Sequence, residues 1–151
     1  MRETRYFDDY ALGDVFVTDS TTVTDGQIMA HARVYDTNRF HVDAEAAGAS
    51  HFGGVIASGF QTMTIAYALF FKLQLVQPVA VGGAGMERVR WTKPLRGGDT
   101  IHMVCTVTGL KRNRGRSPRG TVRMRHDVLN QHDEIILTME CLHMMQARPA
   151  G

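Results

Sequence analysis

The sequence predicts an α+β fold in which an antiparallel sheet wraps around a long central helix. Three observations carry this. The stretch GFQTMTIAYALFFKLQLV, residues 59–76, is apolar almost all round, with Lys72 its only charge. A helix of that kind is surrounded by protein rather than laid on a surface. Downstream, four segments show a hydrophobic period of two, the mark of strands with one buried face. The turn-forming clusters KPLRGGD, NRGRSPRG and NQHDE join these segments, as expected of antiparallel neighbours.

Taken in order, VFVTDSTTV (15–23) is β-rich. TDGQIMAHARVY reads as a short helix, capped by Thr24 with Gln27 completing a capping box. Ile28, Ala32 and Tyr35 mark one face of it. The triplet DTN ends that helix, and Asp43 caps a further helical turn in DAEAAGAS. FGGVIASG is a glycine-rich loop leading to the central helix, expected from Gly59 to about Leu75. In MERVRWT, Val89 and Trp91 alternate with Arg88, Arg90 and Thr92; TIHMVCTVTGL, TVRMRHDVL and EIILTMECLHMM follow as strands. Such a sheet has open edges, and pairing of one edge with a second copy predicts a homodimer.

At 151 residues, 44% hydrophobic and 21% charged, the chain is expected to form a single domain over residues 1–151, with no disordered class of composition. A net charge of +2 is too mild to imply nucleic acid. No targeting or membrane segment is expected. The N-terminus is polar, and Gln61, Thr62, Thr64, Lys72 and Gln74 disfavour membrane insertion of the apolar helix. Cys105 and Cys141 fall at alternating apolar positions and read as buried free thiols, which points to a cytoplasmic protein. With two cysteines and no metal-ligand spacing among the histidines, neither a metal nor a cofactor is expected.

The chemistry concentrates ahead of the central helix. Asp36, Asn38 and His41 stand among Tyr35, Phe40, Phe52 and Val55. Singly, Asp36 terminates a helix, Asn38 makes an Asx-turn and His41 is an interior histidine. Together they form a constellation. The five-residue step from Asp36 to His41 does not share a helical face, so a loop is expected to carry both. A carboxylate and an imidazole converging on one point can hold a water and exchange protons with it. Ser58 is placed to cap the central helix, and Gly59 starts it. Its backbone N–H has no intrahelical partner, suits a carbonyl oxygen gaining charge, and is not screened by a Cβ.

YDTNRFHVDAEAAGASHFGGVIASG resembles the hydratase motif of the MaoC-like dehydratase family, of the (R)-specific enoyl-CoA hydratase type. That signature runs Asp, any, Asn, Pro, any, His, with an acidic residue two further on; Asp36, Asn38, His41 and Asp43 match it. YFDDYALGDVF, ERVRWTKPLRGGDT and VLNQHDEIILT are similar to that family as well. The resemblance implies a hot-dog fold, an acyl-CoA thioester substrate and Asp36 with His41 as a water-activating pair. It further implies that Asn38 orients the pair and that the Gly59 amide binds the thioester carbonyl. Arg39 stands where the family usually has proline, and Ser58 where many members have histidine. An unpaired guanidinium in an apolar acyl site is costly, so Arg39 is expected to point to solvent or to the CoA phosphates.

Two alternatives stay open at this point. One is a hot-dog acyl-CoA thioesterase, in some of which the histidine follows the aspartate by four residues rather than five. The other is a non-catalytic acyl-CoA-binding subunit. The basic stretch KRNRGRSPRG reads as a solvated hairpin tip, with a contact to CoA phosphates as its functional alternative. The remaining histidines, His126 and His143 included, read as surface or packing residues.

Overall fold

The computed structural model describes residues 4–115 and 118–149. After a 3-10 turn at Phe7–Asp9 come β1 (Val15–Val17) and β2 (Thr21–Thr22). Three helices follow: α1 (Asp25–Tyr35), α2 (Arg39–Val42) and α3 (Ala44–Gly48). The central helix is α4 (Gly59–Lys72), and β3 (Ala80–Trp91), β4 (Thr100–Arg112), β5 (Arg119–Leu129) and β6 (Ile135–Gln146) complete the chain. The strands form a six-stranded antiparallel sheet in the order β1-β4-β5-β6-β3, with β2 on the start of β4. This is the α+β arrangement that the sequence predicts.

The local signals were sufficient for the small helices. Thr24 accepts the Gln27 N–H, and Gln27 accepts the Thr24 N–H, which closes the expected capping box. Asp43 accepts the Ala46 N–H and caps α3. The sheet's inner face and one side of α4 make the core, where Ala66, Leu69 and Phe70 meet residues such as Met103, Met124 and Met139. Cys105 and Cys141 are both buried and free, as expected. They lie on β4 and β6 with β5 between, about 10 Å apart from strand spacing alone, beyond disulfide reach.

The expectations for α4 and β3 need correction. The helix α4 stops at Lys72 rather than near Leu75, and the sheet covers one side of it only. Phe60, Thr64, Ala68 and Phe71 stay exposed, Phe60 at 67%. The free edge strand β3 is exposed along almost its whole length. It is also longer than MERVRWT. Gly82 and Gly85 adopt positive φ at breaks in the β3–β6 register, and these glycines hide a strand from any propensity reading. A further break between Glu87 and Arg90, with Arg88 at φ 53°, upsets the alternation of side chains. Val89 packs on the core, but Trp91 sits at the rim, 48% exposed.

Register also locates the basic hairpin. Trp91 lies across from Leu137, which pairs with Val128 and through it with Met103. Arg112 lies in the row of Gly120, Met145 and Ala80, nine residues further along β4, roughly 30 Å away at strand rise. The tip residues Arg116 and Ser117 fall outside the described residues. Within one chain, therefore, the hairpin sits at the opposite end of the sheet from Trp91. No helix among the described residues is long and apolar enough to cross a membrane.

Candidate active site

The end of α1 delivers Asp36. Its N–H still bonds to Ala32 O at 3.0 Å, while its φ of −154° takes the chain out of the helix. Asn38 then caps a new helical turn by accepting the Phe40 N–H at 3.3 Å. His41 is carried on that turn, α2, and not on a loop as the sequence suggested. The reason is the cap: Asn38 starts a helix within the segment read as irregular. Asn38 is exposed and does not line the cavity described below. Its influence on the pair runs through the backbone, by capping the turn that holds His41 and by a long contact of its N–H with Asp36 Oδ1 at 3.5 Å.

His41 is buried, with Nδ1 2.7 Å from the carbonyl oxygen of Ile56. A carbonyl only accepts, so Nδ1 carries the proton and, in the neutral ring, Nε2 is an acceptor. That Nε2 lies 3.5 Å from Asp36 Oδ2. The loop before α4 thus fixes the ring, and the end of α1 fixes the carboxylate.

Ser58 connects the two halves of the site. It is fully buried, its Oγ donates to Asp36 Oδ2 at 2.7 Å, and the same Oγ accepts the Phe60 N–H at 3.3 Å as the cap of α4. This hydroxyl holds the Asp36 carboxyl below the usual carboxylate range, helped by the Asn38 N–H and opposed by partial burial. Gly59 follows as the first residue of α4. A Cβ built on it would sit 2.6 Å from Cε2 of Trp91. The indole Nε1–H donates to Gly59 O at 3.0 Å. Glycine is required there by the tryptophan that lies on it.

Asp36, His41, Gly59, Thr62, Trp91 and Leu95 are among the residues that line a cavity of about 500 Å³. Of the residues singled out in sequence, Asp36, His41 and Gly59 face this space. Ser58 acts from behind Asp36, and Asn38 from the α2 turn. Arg39 is exposed, with its guanidinium 5.2 Å from the centre of the Phe40 ring, on the solvent side as expected. Trp91 and Phe60 were not singled out. Their rings meet edge to face at 6.3 Å and form one wall. The only sequence sign of them was an unusually apolar, aromatic pair at a helix start and a strand end.

The fold and the cavity define a class: a hot-dog protein with an Asp and His pair at the foot of its central helix. A Mycobacterium tuberculosis protein with a double hotdog fold superposes with a TM-score of 0.81 at 24% identity, over 96% of this chain and 45% of that one. Residues 9–130 match the family described as MaoC like domain, and the chain belongs to that family. The crystal structure of a MaoC-like dehydratase from Rhodospirillum rubrum is similar over 96% of this chain and 99% of that one, with TM-score 0.85 and 34% identity. YdeM of Bacillus subtilis is 32% identical over 100 residues, 66% of this chain and 71% of YdeM. Mesaconyl-CoA hydratase of Cereibacter sphaeroides is 29% identical over 136 residues, which is 89% of this chain but 39% of the hydratase.

Proposed function

We propose that the protein is a hydratase of 2-enoyl-CoA thioesters, giving (R)-3-hydroxyacyl-CoA and running backwards as a dehydratase. The observation that carries this is the approach of Asp36 Oδ2 to His41 Nε2, 3.5 Å apart at the edge of an apolar cavity. With the ring neutral both atoms are acceptors, and a water, which has two protons to give, can bridge them. The thioester carbonyl accepts from the Gly59 N–H, polarising the alkene so that C3 becomes electrophilic. Water oxygen bonds to C3 while one of the pair removes its proton, and the alkene electrons move onto C2 and the carbonyl oxygen. A proton returns to C2 on the same face, and the carbonyl re-forms. Asp36 is suited to the role because Ser58 keeps it ionised. Membership of the MaoC family and the hydratase among the relatives support the same reading.

The exposed side of α4 beside the bare edge of β3 fits a homodimer, in which a second copy covers both. Sedimentation at micromolar concentration checks this, and a monomer would refute it. The activity is tested with crotonyl-CoA. Loss of the conjugated thioester absorbance with formation of 3-hydroxybutyryl-CoA is expected. Release of free CoA without hydroxyacyl product would instead indicate a thioesterase, and binding without turnover a non-catalytic subunit.

A further inference from the structure

A second cavity, of about 380 Å³, opens at the other end of α4, where Tyr67, Phe71 and Val76 face Met86, Leu142 and His143. Its far wall is the glycine-rich start of β3; Gly82, Gly83 and Gly85 put no side chains into it. Both cavities have α4 and β3 among their walls. At one end Gly59 meets Trp91; at the other Tyr67 and Phe71 meet residues 82–86. The eight residues from Gly59 to Tyr67 advance the helix by roughly 12 Å, about the length of an eight- to ten-carbon chain.

The second cavity is not purely apolar. His143 is only 7% exposed, yet it lines the space. Its Nε2 is 3.4 Å from Nε2 of His126, whose Nδ1 is 3.2 Å from the Cys105 thiol. Nδ1 of His143 has no hydrogen-bond partner among the described residues. The three side chains can order their protons in either direction. If Cys105 donates to His126, then His126 donates to His143, and Nδ1 of His143 is a donor. If His126 donates to the sulfur, His143 donates to His126, and its Nδ1 is an acceptor. Burial keeps both rings neutral, so a carboxylate would find no cation there, whereas a hydroxyl would be matched in either state and a keto oxygen in the state where Nδ1 donates.

We infer that this cavity receives the distal end of the acyl group, and that His143 selects acyl chains bearing a neutral hydrogen-bonding oxygen there. The inference rests on the acyl-CoA reading above. It concerns what the far end of the substrate carries, not the reaction at C3.

Titration calorimetry of the whole protein with decanoyl-CoA and 10-hydroxydecanoyl-CoA tests it without needing turnover. The hydroxylated ligand should bind about tenfold more tightly, the effect of one buried hydrogen bond. His143→Phe should abolish that preference, and His143→Gln, which keeps a polar end, should restore part of it. Met86→Trp, which fills the cavity from its rim and leaves the histidines unsubstituted, should weaken both ten-carbon ligands relative to butyryl-CoA. Equal affinity for the two ten-carbon ligands in the native protein overturns the inference. So does a preference that survives in His143→Phe, with an unchanged near-ultraviolet dichroism spectrum. If His143→Phe does not fold, unchanged ten-carbon binding in Met86→Trp overturns it instead. Crotonyl-CoA hydration measured alongside separates the two readings, since its absence would overturn the hydratase and leave the calorimetric comparison standing.

Discussion

Mild acid should destabilise the fold through two histidines that take no part in the proposed reaction. His126 and His143 lie on the inner face of the sheet under Phe70, one ring edge-on to it and the other stacked. Burial pushes His126 down to about 3, with the neighbouring His143 adding to it, and pushes His143 down to about 4. The unfolded chain takes up these protons near pH 6.5, whereas the folded chain does not. Stability is therefore full above pH 6.5 and falls as pH drops from there toward the folded values. At pH 5 both sites are still neutral when folded, so the loss depends only on the unfolded value: about 2 kcal/mol per histidine, about 4 for the pair. Urea unfolding at pH 8 and pH 5, at fixed protein concentration, measures this. His126→Gln combined with His143→Gln removes both titrations and should flatten the difference by that amount. An equal pH dependence in the native and doubly substituted proteins would refute the argument.

Asp36→Asn and His41→Gln should each lower kcat for crotonyl-CoA hydration by ~10²–10⁴-fold; because both act on one water, the double variant should be little worse than either single. Ser58→Ala removes the hydroxyl bound to Asp36 and the cap of α4. The acid limb of its kcat/KM profile should move to higher pH, with a stability loss of about 2–3 kcal/mol at neutral pH, shrinking as pH falls and Asp36 is protonated; an unmoved acid limb would mean that Asp36 does not govern it. Gly59→Ala puts a methyl group against the indole of Trp91 and should cost about 1–3 kcal/mol. Trp91 is the sole tryptophan, so a change in emission reports its displacement directly, and unchanged emission would show that the site has room after all.

How much could be read in sequence depended on how local the signal is. The cap at Thr24 and Gln27 spans three residues and was fully legible, as was the cap at Asp43. Asp36 and His41 are close enough in sequence for their convergence to be foreseen, but the helical turn between them was missed because one Asn side chain nucleates it. The Ser58 bond to Asp36 crosses 22 residues and was invisible; only Ser58 as a cap could be inferred. Trp91 over Gly59 depends on where β3 ends relative to α4, which follows from the sheet register and its bulges. The β5–β6 register, with His143 opposite Val122 and His126 opposite Met139, puts the two histidines on one face four residues apart, and their rings reach toward each other along it. A shift of one residue would have pointed one of them to the other face.

The dipeptide Ser58–Gly59 ties these parts into one unit. A helix start must supply partners for its free N–H groups. Ser58 does so with an oxygen that also binds the carboxylate, so the position of Asp36 is set by the same atom that starts α4. Gly59 lines the cavity, and its carbonyl anchors the indole that walls it. The carboxylate and the wall are therefore both tied to the first turn of the helix. The remainder of that helix is held by Ala66, Leu69 and Phe70 in the core. Rigid packing several turns away is in this way converted into fixed distances at the pair, which is what preorganised acid–base chemistry requires.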